Sequence, residues 1–186
     1  MGEFAFEECH QLESARFLAS MSKVPWGTFG LCVSLKEVYL KEESITSIGK
    51  FAFSECYLLE DINIPIRLTE IEEGAFVKCH SLKTFTVPPN VKDIEERAFF
   101  NCESLENIVF KGGIKSIGAE AFAWCTSITS IVLPESVVAV GKGAFYNCVS
   151  MSKLYIPGGA IIADSVGIAD SLLWGCTSLV DLSIPF

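Results

Sequence analysis

No run of about 18 apolar residues occurs anywhere in the chain, so nothing in it reads as a transmembrane helix. Basic clusters are missing too. The 186 residues carry 14 Lys and Arg against 23 Asp and Glu, a formal net charge of −9, and both the first hundred residues and the remainder are net acidic. This argues against a nucleic-acid footprint; an acidic surface serves solubility or meets a basic protein partner. Met1 to Ser20 lacks a basic start leading into an unbroken apolar stretch, and so is not read as a signal peptide. No Asn-x-Ser/Thr sequon is present, which weighs against a eukaryotic secretory route. Catalytic signatures are equally scarce: there is no G-x-S-x-G, no P-loop and no H-E-x-x-H, and neither Gly112-Gly113 nor Gly158-Gly159 continues into a phosphate-binding pattern. With no nucleophile–base constellation, the chain reads as a non-enzyme with no cofactor.

What the chain does have is a period. Its eight cysteines, at 9, 32, 56, 79, 102, 125, 148 and 176, are separated by 23, 24, 23, 23, 23, 23 and 28 residues. Phe6, Phe29, Phe53, Phe76, Phe99, Phe122 and Phe145 each precede a cysteine by three, and Leu173 takes that place in the last unit. A fixed repeat of this length means a solenoid. One 23-residue unit cannot bury its own apolar face, but stacked units can, with each repeat position forming a ladder. Residues 1–186 are therefore expected to form a single solenoid domain of about eight stacked repeats, right-handed by the general rule for parallel crossovers.

Within each unit, alternation such as Thr84-Phe85-Thr86-Val87 predicts a short strand buried on one face. Pro65, Pro88, Pro134, Pro157 and Pro185 follow such strands; proline cannot donate to a ladder, so it ends the strand and opens a corner. A second extended piece follows, such as Val91-Lys92-Asp93-Ile94. Ala-Phe-x-x-Cys is expected to make one helical or 3₁₀ turn that aims Ala, Phe and Cys inward. The strands should align in one parallel sheet, roughly 34 Å wide at the ordinary spacing. The extra residue near Lys41-Glu42-Glu43-Ser44 and about five more around Gly158–Ser165 are expected in loops.

The consensus A-F-x-x-C-x-S-L-x-x-I-x-I-P-x-x-V-x-x-I-G, with Ile48-Gly49 and Ile117-Gly118 as its last pair and Val140-Gly141 close to it, resembles the repeat of the BspA-like leucine-rich-repeat family along essentially the whole chain. The resemblance implies an α/β-type leucine-rich-repeat superhelix. It also implies a surface or secreted protein that binds host proteins or mediates adhesion. The sequence shows no leader or anchor, and if complete as given it would be cytoplasmic, which leaves an intracellular scaffold as the alternative.

The cysteines have no close pair of the kind zinc requires, and inward ladder residues point the same way, unlike disulfide partners. All eight are expected to be free, buried thiols behaving as small hydrophobes. His10 and His80 occupy equivalent positions three units apart, roughly 15 Å at the strand spacing, too far to share a metal. The serines two after cysteine (Ser34, Ser81, Ser104, Ser127, Ser150 and Ser178) are expected to bond nearby backbone through their hydroxyls. Trp26, Trp124 and Trp174 are expected to be partly buried packing residues.

The outward strand positions point to a partner. One column holds Lys153, and the next reads Tyr39, Asn63, Thr86, Val109, Val132, Tyr155. On a curved solenoid these line the concave face, the usual binding surface. Val109, Val132 and Tyr155 form an apolar run that a solvated face does not need; strand propensity alone is the competing account. A protein ligand is the expected partner. Self-association through an uncapped C-terminal end is a second expectation, since Leu179, Leu182 and Ile184 would otherwise face water.

Overall fold

Each unit lays down three sides of a prism because its sequence has three parts with different backbone preferences. The structure is a computed structural model describing residues 1–17, 21–40, 44–162 and 171–185. Of the insertions expected near Lys41–Ser44 and around Gly158–Ser165, residues 41–43 and 163–165 lie outside the described residues, as does Phe186; the second expectation is corrected in part, because Gly158 and Gly159 form a turn but Ile161–Ile162 is a strand paired with Ala139–Val140.

The first side is a ladder of eight strands: β1 (Ser14–Phe17), β3 (Glu37–Leu40), β5 (Asp61–Asn63), β7 (Thr84–Val87), β9 (Asn107–Phe110), β11 (Ser130–Val132), β13 (Lys153–Tyr155) and β15 (Asp181–Ser183). Alternation works as expected: in β7, Thr84 and Thr86 are exposed while Phe85 and Val87 are buried. The expected single sheet is hydrogen-bonded in three groups, β1-β3-β5, β7-β9 and β11-β13-β15, all parallel and in register. The prolines end the strands, and the carbonyls of Pro65, Pro88, Pro134 and Pro157 each accept from the amide three residues on, closing the corner as a turn.

The second side is continuous. The two-residue strands β2 (Lys23–Val24), β4 (Ser47–Ile48), β6 (Glu70–Ile71), β8 (Asp93–Ile94), β10 (Ser116–Ile117), β12 (Ala139–Val140) and β14 (Ile161–Ile162) form a seven-stranded parallel sheet. Glycine after some of these strands permits close approach: a Cβ on Gly118 would lie 2.6 Å from the Glu95 carbonyl carbon of the preceding unit. This is the physical content of the Ile-Gly step.

The third side corrects an expectation. No helical or 3₁₀ turn occurs at Ala-Phe-x-x-Cys among the described residues. Instead, the positions five and one before the cysteine are left-handed in unit after unit: Gly74 (φ 60°) and Lys78 (φ 57°), Arg97 (53°) and Asn101 (57°), Glu120 (53°) and Trp124 (63°). Two left-handed residues four apart break any right-handed helix and leave successive three-residue turns. The amides then reach the next unit, as in Phe76 N–H to Ala98 O and Lys78 N–H to Phe100 O, both 2.8 Å. Gly74 also makes space: a Cβ there would lie 2.2 Å from the Phe51 ring.

The core is one ladder system. Phe29, Phe53, Phe76, Phe99, Phe122 and Phe145 are each at most 1% exposed. Their rings stack in sequence at 5.3 to 5.9 Å with planes within 11° of parallel. Burying each ring contributes about 1.5–3 kcal/mol. The cysteines differ from the expectation in two respects. All are free, but Cys9 is exposed and Cys176 only half-buried, because each lies in a terminal rung of the described ladder. The inner thiols also do more than fill space: Cys79, Cys102 and Cys125 donate to the carbonyls of Phe53, Phe76 and Phe99 at 3.1 Å, linking each unit to the one before. Three of the six recurring serines act through backbone. The amides of Ser81, Ser104 and Ser127, rather than their hydroxyls, reach the carbonyls of Tyr57, His80 and Glu103. A small residue suffices where the main chain makes the bond.

Candidate recognition face

The long-strand face presents two columns, because alternate residues of a strand point to opposite sides. Register places Arg16 beside Tyr39, Tyr39 beside Asn63, Thr86 beside Val109, and Val132 beside Tyr155. Val132 is 70% exposed, Tyr39 46% and Val109 43%. Lys153 is exposed between Ser130 and Asp181 in the neighbouring column.

The columns divide by chemistry. At the N-terminal end a hollow of about 170 Å³ is lined by residues that include Arg16, Glu37, Tyr39, Asp61 and Asn63. A second, of about 300 Å³, is bordered by Glu13, Glu37, Glu60 and Asp61 around Lys36. The Lys36 ammonium is 3.2 Å from Glu13, leaving the other carboxylates in excess. Toward the C-terminal end the face turns apolar through Val109 and Val132 to Tyr155. The Tyr155 hydroxyl donates to Glu135 at 2.5 Å, and that carboxylate holds the phenol above its ordinary titration range.

Two residues change standing. Asn63 is engaged by the scaffold: its side-chain oxygen accepts from the Leu40 amide at 2.5 Å and its nitrogen donates to the Leu40 carbonyl at 2.7 Å. Strand β5 stops one residue short of β3, and this side chain supplies the pairing that the missing residue would have made. Arg16, absent from the sequence-based set, stands on the face; counting seven residues on from Cys9, as Tyr39 is from Cys32, would have found it.

Elsewhere, exposed aromatics stand apart from this face. Trp26, Trp124 and Trp174 are 44%, 40% and 56% exposed, more than packing residues require. Trp26 lies against Phe4 at 4.9 Å. His80 stacks on Tyr57 at 5.0 Å and its Nε2 is 3.1 Å from the Asn101 amide nitrogen. Among the described residues no three His, Cys, Asp or Glu side chains are grouped to hold a metal ion, and no helix is long and apolar enough to cross a membrane.

Comparison with known proteins agrees with the repeat geometry. The chain is similar to a leucine-rich repeat protein from Bacteroides ovatus, with 26% identity and a TM-score of 0.73 over 98% of this chain and 57% of that one. It is also similar to the leucine-rich repeat protein of T. pallidum, with 29% identity and a TM-score of 0.50 over 90% of this chain and 72% of the other. A leucine-rich repeat protein from Eubacterium ventriosum, 16% identical with a TM-score of 0.50 over 92% of this chain and 66% of that one, shares the fold alone. This chain thus spans little more than half the length of the Bacteroides ovatus protein. No curated protein matches the sequence. The BspA-type leucine-rich repeat region, in six copies, matches residues 1–106 and 93–186. With the Phe and Cys ladders, the post-strand prolines and the parallel stacking in register, that match across the whole length means that the chain belongs to the BspA-type leucine-rich-repeat family.

Proposed function

We propose that residues 1–186 act as one non-enzymatic solenoid that recognises a protein through the long-strand face, in adhesion or host-protein binding. The family and fold, those of generally non-catalytic leucine-rich repeat proteins, support a protein-interaction module. The observation that carries the choice of surface is the exposure of Val132, Val109 and Tyr39 on a face whose buried side already satisfies the core. Side chains of this kind, standing free on a sheet held rigid from behind, are suited to become buried anchors in an interface. The acidic hollows at the other end favour a partner with basic groups there and apolar groups toward Val132. Asn63 is excluded from the contact set, since its amide serves Leu40.

The test is a pull-down from host extracellular protein with the parent and with a Val109→Asp, Val132→Asp, Tyr155→Ala variant. Because these side chains point away from the core, the variant should fold and lose the captured protein, with affinity down about tenfold or more. Equal capture by a folded variant would move recognition off this face.

A further inference from the structure

The long-strand face is split where β9 meets β11. Among the described residues no strand pairing joins them, although β7 pairs with β9 and β11 with β13 on either side. The inward side chains register the opening. Phe85, Val87, Ile131 and Leu133 are buried, whereas Ile108 and Phe110 of β9, at the equivalent repeat positions, are only half-buried. The other two sides of the same rungs are closed. β10 pairs with β12 through Ser116 beside Ala139 and Ile117 beside Val140. On the turn side, Phe99 N–H reaches Ala121 O at 2.9 Å and Asn101 N–H reaches Ala123 O at 2.8 Å. The two rungs therefore form a wedge, tight on two sides and split on the third.

The sequence supplies both halves of this wedge. At the corner after β9 the recurring proline is replaced by Lys111, whose amide donates to Val87 O at 3.0 Å. Gly112 follows so closely that a Cβ there would lie 2.2 Å from the Pro89 carbonyl oxygen. β9 is thus drawn back onto β7, away from β11. The opposite edge of the prism, where the short strands give way to the turns, is narrowed by glycine on both sides of the split rungs. A Cβ on Gly118 would lie 2.6 Å from the Glu95 carbonyl carbon, and one on Gly141 would lie 2.5 Å from the Ala119 amide nitrogen. The break between β5 and β7 lacks this glycine pair, since Glu72 and Glu95 hold the equivalent places.

We propose that this join is a hinge: the units up to β10 and those from β11 onward rock about the Gly118–Gly141 edge, opening and closing the split between Val109 and Val132. Closing gives β9 and β11 their missing backbone bonds and covers Ile108 and Phe110. Opening keeps the Lys111 bond to Val87 and the narrow glycine edge. Two sets of interactions compete across one join, as a two-position element requires. The hinge does not rest on the recognition proposed above, and its test uses the protein alone.

Hydrogen exchange of the ¹⁵N-labelled protein reads the split directly. The Asn107 and Lys111 amides point back to the Lys83 and Val87 carbonyls, so by the alternation of a strand the Ile108 and Phe110 amides point into the split. In the parent these two should exchange about tenfold or more faster than Val109 between them. Equal protection of all three overturns the proposal. Gly141→Ala sets a methyl against the narrow edge. With the bonded short strands and turns as fulcrum, it should swing β11 toward β9 and slow exchange at Ile108 and Phe110 about tenfold. A folded Gly141→Ala protein with unchanged exchange at these amides overturns the hinge. Gly118→Ala is the second variant and should act in the same direction; Glu72 and Glu95 show that the stack accepts a side chain at this position. Should neither variant fold, relaxation dispersion on the parent decides. Exchange in the microsecond-to-millisecond range of hinge motions is expected at Ile108, Phe110 and Val132 and not at Leu154 in the paired strand β13, and flat profiles at all four reject the hinge.

Discussion

At the residue scale the cysteine ladder has a thermodynamic signature. Burial pushes the Cys125 thiol up to about 12 and raises Cys79 and Cys102 well above the ordinary thiol value of 9.0. Their hydrogen bonds are made by the S–H, so the protonated form is the one the fold accommodates. The sign follows directly. Below pH 9 these thiols are protonated in both folded and unfolded chains, and stability does not depend on them. Above it the unfolded chain releases protons that the folded chain keeps, so stability falls by up to about 1.4 kcal/mol per pH unit for each such thiol. Melting temperature should therefore drop steeply between pH 9 and 11, and a Cys79→Ala, Cys102→Ala, Cys125→Ala variant should drop less steeply. Parallel curves for parent and variant would remove the thiols from the account.

At the element scale, β5 shows how a local shortfall is repaired. Asn63 gives the Leu40 amide and carbonyl the partners that a fourth residue in the strand would have supplied. Asn63→Ala leaves both groups, on a fully buried residue, without them. The expected loss is about 1–2 kcal/mol, measured by urea unfolding, and a change below about 0.5 kcal/mol would show that water replaces the amide. Such a role was not legible beforehand, because an outward Asn in a strand column looks the same whether it faces solvent or turns back on its neighbour. The ladders were legible. Each step of a stack imposes the same volume on the same position, so Phe and Cys recur with the period itself. The turn conformation was not, because the left-handed positions are held by Phe51, Arg97 and Glu120 as well as by Gly27, Gly74 and Gly143. The glycine signal that would have announced it is diluted by half. The exposure of Trp124 and Trp174 was hidden for a related reason: a period identifies which residues share a column, while the depth of that column depends on the turn.

At the scale of the whole molecule, all three sides are sewn together in one direction. Strand pairing on the long and short sides, the turn amides such as Phe76 N–H to Ala98 O, and the thiols reaching back one unit all run along the stacking axis. Tension between the first and last units would meet these bonds end-on and load the interfaces in series, so they yield one after another. Each unit released frees 23 residues of contour, about 80 Å at the reach of an extended chain. Stretched in an optical trap, the protein should lengthen as a staircase with that tread, and a single rupture of the whole stack would contradict the series arrangement. A chain built this way is a shock absorber, giving ground by a repeat at a time and holding what remains.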